Sequence, residues 1–438
     1  MSENKASGGN AFSGLMGFIM TAIGFAVGVG SIWRFPYLLG TSGGALFLIV
    51  YVLIIVVIGI PLLTAETAMG FKTQKTAVLA YRALAPQHKI WSYAGYAHLL
   101  AALLIVSYTI PIYAWILGYL YNTAIGTFHG MDMAQLGTFF GELSGNYPLV
   151  ALFAAINLAL AVLVVSGGVA KGVETLTKIL LPVLGVIMVI LIIAGLRMPG
   201  ADAGLSFLFK PNAEAFTLKS LQDCLGQAFF AVGIGMLASM VFGSYIKNPK
   251  QNLGKTSIII SVALIAAGVM AGMMIFPALF SAGYEPQSSV GLVFLTVPLV
   301  FDSMPLGRLM GTLFFFGFYI AAVTSSAGVM EAVVGMLMDQ FKLTRKKALL
   351  FTVLFQIVIG VFCLDAGSFF NFCDILTNNY ILTLGALVIA IFVGWIWGAD
   401  NFVDAANVHG KFTRLWLKVS VKYISPIVIL VIFITSIF

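Results

Sequence analysis

Apolar runs broken by short polar stretches make up nearly the whole chain. About 20 mostly apolar residues suffice to cross the hydrocarbon core of a bilayer as a helix. Eleven stretches reach that length, at about 12–38, 42–70, 91–124, 147–165, 170–197, 217–246, 254–283, 306–341, 346–364, 368–398 and 413–438. Each predicts a membrane-spanning helix, and the longer ones require tilt or project beyond the bilayer. The intervening loops are too short for a separate soluble domain. The longest outer connection, about 284–305, is itself half apolar, which leaves two readings: a short helical hairpin dipping back into the bundle, or a surface loop. The first apolar stretch starts near Ala11 and is too long for the apolar core of a cleavable signal peptide.

Two spans break the pattern. Span 1 carries GFAVGVGS at 24–31 and span 6 carries AVGIGM at 231–236. The clusters lie five spans apart, so a second set of five enters from the opposite side. That predicts two inverted repeats, about 12–197 and 217–398, with an extra helix at about 413–438. Paired interrupted segments at equivalent places mark a binding site in many secondary transporters.

Composition and charge sharpen this picture. Hydrophobic residues are 61% of the 438 and charged residues 9%, against about 25% charged in soluble domains. The chain is an integral membrane protein. With the N-terminus in the cytoplasm, 18 of the 23 lysines and arginines fall on the inner side, 4 on the outer side, and Arg34 alone lies in a span. This is the usual positive-inside bias, and it puts the C-terminus outside. It also accounts for the net charge of +7 without nucleic acid as a partner. Cys224, Cys363 and Cys373 have no metal-ligand spacing and read as packing residues.

Three constellations carry chemistry. In GFAVGVGSIWRFP, Gly24 and Gly28 form a small-xxx-small pattern that suits close helix packing. Gly28 and Gly30 bracket one residue and favour an unwound point, and Arg34 follows about one turn later. A charge within a span normally faces a cavity with a partner. Unwound N–H groups attract anions, and unwound carbonyls can ligate Na⁺. In span 8, Ala321, Thr324 and Ser325 share one helical face and can offer oxygens to a hard cation, or bond back to their own helix. The ionisable groups in spans are Glu66, Asp223, Glu331, Asp339 and Asp374. Asp374 can meet Arg34; Glu331 reads either as a proton site or as a carboxyl hydrogen-bonded in the bundle. No GxxxxGK[ST] motif, ATPase domain or hydrolytic His/Asp/Glu cluster is present, so the chain predicts neither an enzyme nor an ATPase-driven pump.

These residues give the chain its resemblance. The motifs GxxxGxGSIWRFPYL at 24–38, GGA at 43–45, GIP at 59–61, ETAMG at 66–70, GQAFF at 226–230, GSY at 243–245, IFPALF at 275–280, VTSS at 323–326 and FVGWIWGAD at 392–400 resemble the neurotransmitter:sodium symporter family in its bacterial eleven-span form. The resemblance implies an all-α membrane protein of the leucine-transporter fold, with spans 1 and 6 broken, in the bacterial inner membrane. It implies sodium at Gly24, Val27, Ala321, Thr324 and Ser325. It implies an outer gate of Arg34 and Asp374 with Gln227 nearby, an aromatic lid at Phe230, Glu66 holding the unwound part of span 6, and Asp339 at the inner gate.

Departures from the family pattern shape the solute expectation. The polar ligands of the family's second sodium site fall at Ser31, Ala231 and, by a loose alignment, Leu264, so that site is expected to be weak or absent. The span 6 serine at the solute is Gly233. The carboxylate-capping tyrosine of span 3 is Thr109, with Tyr108 beside it, and the aspartate of amine carriers is Gly28. The inner-gate arginine is missing, with Lys5 as its only replacement. The remaining pocket of Ala26, Gly28, Val29, Gly30, Tyr108, Phe230, Gly233, Met236, Ser325 and Val329 predicts a largely apolar or aromatic, amino-acid-related solute carried with sodium. A neutral amino acid is the alternative solute. A proton-coupled carrier using Glu331, an uncoupled carrier and a sensor are the alternative modes.

Overall fold

The structure is a computed structural model that describes residues 11–284, 286, 291–365 and 367–437. Among the described residues, nine helices are long and apolar enough to cross a membrane unbroken: Ala45–Thr73, Lys89–Ile125, Tyr147–Ser166, Val169–Leu196, Leu253–Ser281, Gly307–Phe341, Arg345–Cys363, Ser368–Ile396 and Lys411–Thr435. These are spans 2 to 5 and 7 to 11. Span 1 is a bent pair, Leu15–Ala26 and Gly30–Thr41, turning by 49°. Span 6 is divided into Leu218–Val232 and Ala238–Ser244. Helices account for the architecture because a helix satisfies its backbone within itself, as the bilayer core demands. The expected all-α fold with breaks in spans 1 and 6 is the observed one.

The breaks require partners that bring the broken halves close to unbroken spans. The inner half of span 6 crosses span 2 glycine to glycine. A Cβ on Gly70 would lie 1.8 Å from the Met240 carbonyl oxygen, and one on Gly243 would lie 2.2 Å from that of Thr67. In the bilayer, where apolar burial does not favour one helix partner over lipid, such backbone proximity is a main source of association. This gives the ETAMG and GSY motifs a packing role.

The inner ends are tied by charged side chains, of which Glu174 and Glu331 are buried. Glu174 of span 5, 1% exposed, accepts from the Ser13 amide at 2.9 Å and pairs with Lys178 at 2.5 Å. Asp339 of span 8 accepts from the amide and hydroxyl of Thr76, at 2.8 and 3.0 Å, at the start of the loop helix Ala77–Leu84. Lys342 lies 3.6 Å from the same carboxylate. Glu331 is held by both guanidinium nitrogens of Arg345, at 2.6 and 3.0 Å, and by the Tyr245 hydroxyl at 3.2 Å. Of the two readings of Glu331, the carboxyl bonded inside the bundle matches this geometry. Arg345, assigned to an inner loop by charge counting, reaches in because its long side chain can pair a buried carboxylate bidentately. Lys5 lies outside the described residues.

On the outer side, Leu292–Asp302 of the longest connection is a helix whose Phe294 and Val300 are buried. The connection therefore packs into the bundle as a helix over Leu292–Asp302. A second loop helix, Met133–Gly145, is closed by a capping box of Asp132 and Gln135.

Gly70→Val should remove the folded protein from detergent extracts, because its side chain meets backbone that cannot move aside. Overpacking of this kind costs about 3 kcal/mol or more. A monodisperse size-exclusion profile for this variant would contradict the crossing.

Candidate functional site

Helix Leu15–Ala26 ends where Val27 leaves the helical region, at φ −83° and ψ 62°. The Val27 amide still reaches the Ile23 carbonyl at 2.6 Å. Among the described residues the Gly28 amide takes no backbone acceptor, so the Gly24 carbonyl loses its helical bond. The chain is helical again from Gly30. The break is thus centred on Val27–Gly28, and Gly30 already belongs to the outer half. Its position is dictated by close approach. A Cβ on Gly28 would lie 2.6 Å from Ser325 Oγ of span 8, and one on Gly30 would lie 2.5 Å from the Phe230 ring of span 6. Gly24 faces Thr177 of span 5 instead.

The span 6 break uses positive φ at Gly233 and Gly235, both at 75°, and at Leu237, at 73°. The last is a buried non-glycine residue in a region disfavoured for a side chain. Glu66 of span 2 accepts from the Gly235 amide at 3.2 Å. Gln227 donates to the Gly30 carbonyl at 3.1 Å and so links the two broken spans. Both are fully buried.

Between the breaks lies a cavity of about 370 Å³. Its apolar wall includes Phe25, Ala26, Val29, Phe230, Met236 and Val329, and Gly28, Gly30, Tyr108, Thr109 and Ser325 also line it. It extends outward past Arg34 and Asp374 to the exposed Asp365 in the connection after span 9. On the inner side Phe25 meets Phe242 edge to face at 5.9 Å, and Phe12 packs on Phe18, Phe242 and Tyr245. An aromatic layer therefore closes the cavity from below.

Several expected residues meet different partners. Gly233 does not line the cavity, because the Phe25 ring covers it; a Cβ there would lie 2.3 Å from Phe25. Arg34 and Asp374 share the cavity wall but no ion pair within 4 Å. Arg34 lies 5.4 Å from the Phe230 ring centre, with Nη1 buried and unpartnered. Asp374 accepts from Asn378 at 2.7 Å. The Tyr108 hydroxyl accepts from the same Asn378 amide at 3.1 Å. Asp223 is half-buried in the outer half of span 6. The hydroxyls of Ser31 and Thr324 bond to carbonyls of their own span, Ala26 at 3.3 Å for the first and Ile320 at 3.0 Å for the second. Ala231 and Leu264 are buried and offer no polar side-chain atom.

Sequence reasoning passed over Phe25, Trp33, Tyr113, Trp115 and Phe140, which also line the cavity. Phe25 had one readable signal. Gly233 and Gly328 both lack side chains where its ring packs, the latter with a hypothetical Cβ 3.2 Å away. Phe140 comes from the loop helix and had none.

The comparisons with known proteins agree with this geometry. Residues 9–129 and 142–438 match the model of the Sodium:neurotransmitter symporter family. The chain is 33% identical to the uncharacterized sodium-dependent transporter YhdH of Bacillus subtilis (strain 168), covering 100% of this chain and 99% of the relative. It is 30% identical to an uncharacterized sodium-dependent transporter of Haemophilus influenzae, over 98% of each. The crystal structure of MhsT in complex with L-phenylalanine superposes with a TM-score of 0.90 at 34% identity, covering 98% of this chain and 99% of MhsT. Two helix breaks facing one cavity, a family match over nearly the whole chain and full-length relatives lead to one conclusion: the protein belongs to the sodium:neurotransmitter symporter family, and is a multi-pass sodium-dependent transporter with the leucine-transporter fold, not an enzyme.

Proposed function

We propose that this chain is a symporter of a largely apolar, aromatic solute related to amino acids, driven by one sodium ion. The observation that carries the reading is the cavity between the breaks, with Ser325 against Gly28 at one side and Phe25, Phe230, Met236 and Val329 around it. Burying a carboxylate or ammonium among such groups without partners is costly. An aromatic ring fits the wall without that penalty.

Sodium is a co-transported substrate here. Its ligands are the carbonyls of Gly24, Val27 and Ala321 and the hydroxyls of Thr324 and Ser325, an all-oxygen set suited to a hard cation. The loss of a helical bond at Gly24 and the exit of Val27 from the helix support this choice. The second family site keeps only Ser31, whose hydroxyl already bonds to Ala26, and carries no ion. Arg34, Asp374 and Gln227 form the outer gate, drawn in its open form since Arg34 and Asp374 are unpaired. The aromatic layer, Asp339 and the Glu331–Arg345 pair form the inner closure. Glu331 is thereby assigned to that closure and not to proton coupling. The lysine and arginine bias supports a cytoplasmic N-terminus and an outer C-terminus in a bacterial inner membrane.

A second reading, a neutral amino acid, is favoured by the unpartnered Gly28 amide, which can meet a carboxylate, and by the L-phenylalanine bound to MhsT.

Thr324→Ala combined with Ser325→Ala should lower apparent sodium affinity at least about tenfold, the effect of losing a single 1.4 kcal/mol contact. Uptake into proteoliposomes against a sodium series measures it; unchanged sodium dependence would refute the ligand set. A thermal-shift comparison of indole with L-phenylalanine, each with and without sodium, separates the two solute readings. A ligand at 100 times its Kd stabilises the folded state by about 2.7 kcal/mol. Sodium-enhanced stabilisation by indole supports the apolar solute, and stabilisation by L-phenylalanine alone supports the amino acid.

A further inference from the structure

Gly235, in the span 6 turn, is held on both sides of its backbone. Its amide donates to Glu66 of span 2 at 3.2 Å, and its carbonyl lies 2.9 Å from Nδ1 of His98 in span 3. Nε2 of His98 lies 3.1 Å from the hydroxyl of Tyr81 in the inner loop helix Ala77–Leu84. His98 is fully buried, and Tyr81 is 1% exposed. The resemblance to the family assigns no part to either residue.

The chemistry of the chain fixes the direction of each bond. A carbonyl oxygen can only accept, so Nδ1 carries the proton. The single-proton ring then leaves Nε2 as an acceptor, and the Tyr81 hydroxyl donates to it. Tyr81 therefore selects the tautomer that can bind Gly235. The surroundings leave little freedom. At Gly385 of span 10, a Cβ would lie 3.2 Å from the His98 ring and 3.3 Å from the Gly235 Cα. At Gly235 itself, φ is 75° and a Cβ would lie 3.0 Å from the Leu382 carbonyl oxygen. The amides of Gly233 and Ile234 still reach the Phe229 carbonyl, whereas the Gly235 amide and carbonyl have no backbone partner among the described residues, so side chains supply their bonds.

We infer that His98 is a positioning residue, which pins the Gly235 carbonyl and so holds the Gly233–Leu237 turn in the form that presents Met236 to the cavity. Through His98, Tyr81 links that turn to the loop helix whose N-cap residue, Thr76, is bonded to Asp339. The turn that shapes the solute pocket is thus joined by hydrogen bonds to the inner surface of the protein. The inference rests on the reading of the cavity as the solute site, although the clamp itself does not require it.

The test uses the purified full-length protein and two readouts. The first is amide hydrogen exchange over residues 233–238. His98→Phe keeps a ring but removes the donor, and should speed exchange there while leaving span 2 unchanged. His98→Asn, which can donate from its amide near the Nδ1 position, should restore slow exchange. The second readout is sodium-driven uptake of L-phenylalanine. His98→Phe should raise KM about three- to tenfold, the range produced by losing one neutral hydrogen bond, and His98→Asn should recover it. Exchange unchanged in His98→Phe, or not restored in His98→Asn, would overturn the inference. If His98→Phe does not fold, Tyr81→Phe decides: faster exchange in the same segment supports the clamp, and unchanged exchange overturns it. If the wild type takes up no L-phenylalanine, that solute choice fails, while the exchange comparison still decides the role of His98.

Discussion

A helix broken in the middle of a membrane leaves backbone groups that neither lipid nor the helix can satisfy, and the architecture of this protein follows from how those groups are met. In span 1 the Ala26 carbonyl takes the Ser31 hydroxyl, and the Gly30 carbonyl, already bonded by the Phe35 amide, also takes the Gln227 amide. In span 6 Gly235 is held by Glu66 and His98. Each of these side-chain partners except Ser31 comes from another span, so the span 1 break is tied to span 6, and the span 6 break to the intact spans 2 and 3. The Gly28 amide has no backbone acceptor among the described residues, and Ser325 of span 8 approaches at this residue. Irregular backbone at membrane depth is tolerated only where it is buried in protein or lines a cavity, and here it does both.

The same constraint explains the glycines. Gly28 and Gly30 are required by the proximity of Ser325 and Phe230, and Gly70 and Gly243 by the crossing of spans 2 and 6. With Gly28 in contact with span 8, an aspartate at that position would displace Ser325.

Much of this was legible in the sequence. Long apolar runs are a strong signal, and they yielded the nine unbroken spans and the bent pair of span 1 found among the described residues, with both broken helices recognised from their glycine clusters. The pocket wall was legible at Phe230, Met236 and Val329, since those positions sit beside the breaks. Contacts that depend on side-chain reach across spans were not. Nothing local says that Arg345 enters the bundle to bind Glu331, that Phe25 covers Gly233, or that His98 lies beside Gly235. Such pairs are set by helix rotation and crossing, which hydropathy does not encode. Arg34 and Asp374 illustrate a second limit, because a sequence names both residues but carries no information on whether they pair.

The central claim is that one break retains a full oxygen set for sodium while the neighbouring set has been reduced to a hydroxyl already engaged across the break of its own span. Sodium stoichiometry tests it most directly. In proteoliposomes, the solute gradient that just balances a given sodium gradient, at zero membrane potential, reports the number of ions moved per solute. The account predicts one. A value of two would mean that Ser31, Ala231 and the facing part of span 7 still bind an ion, and that the reduction of that site has been read wrongly.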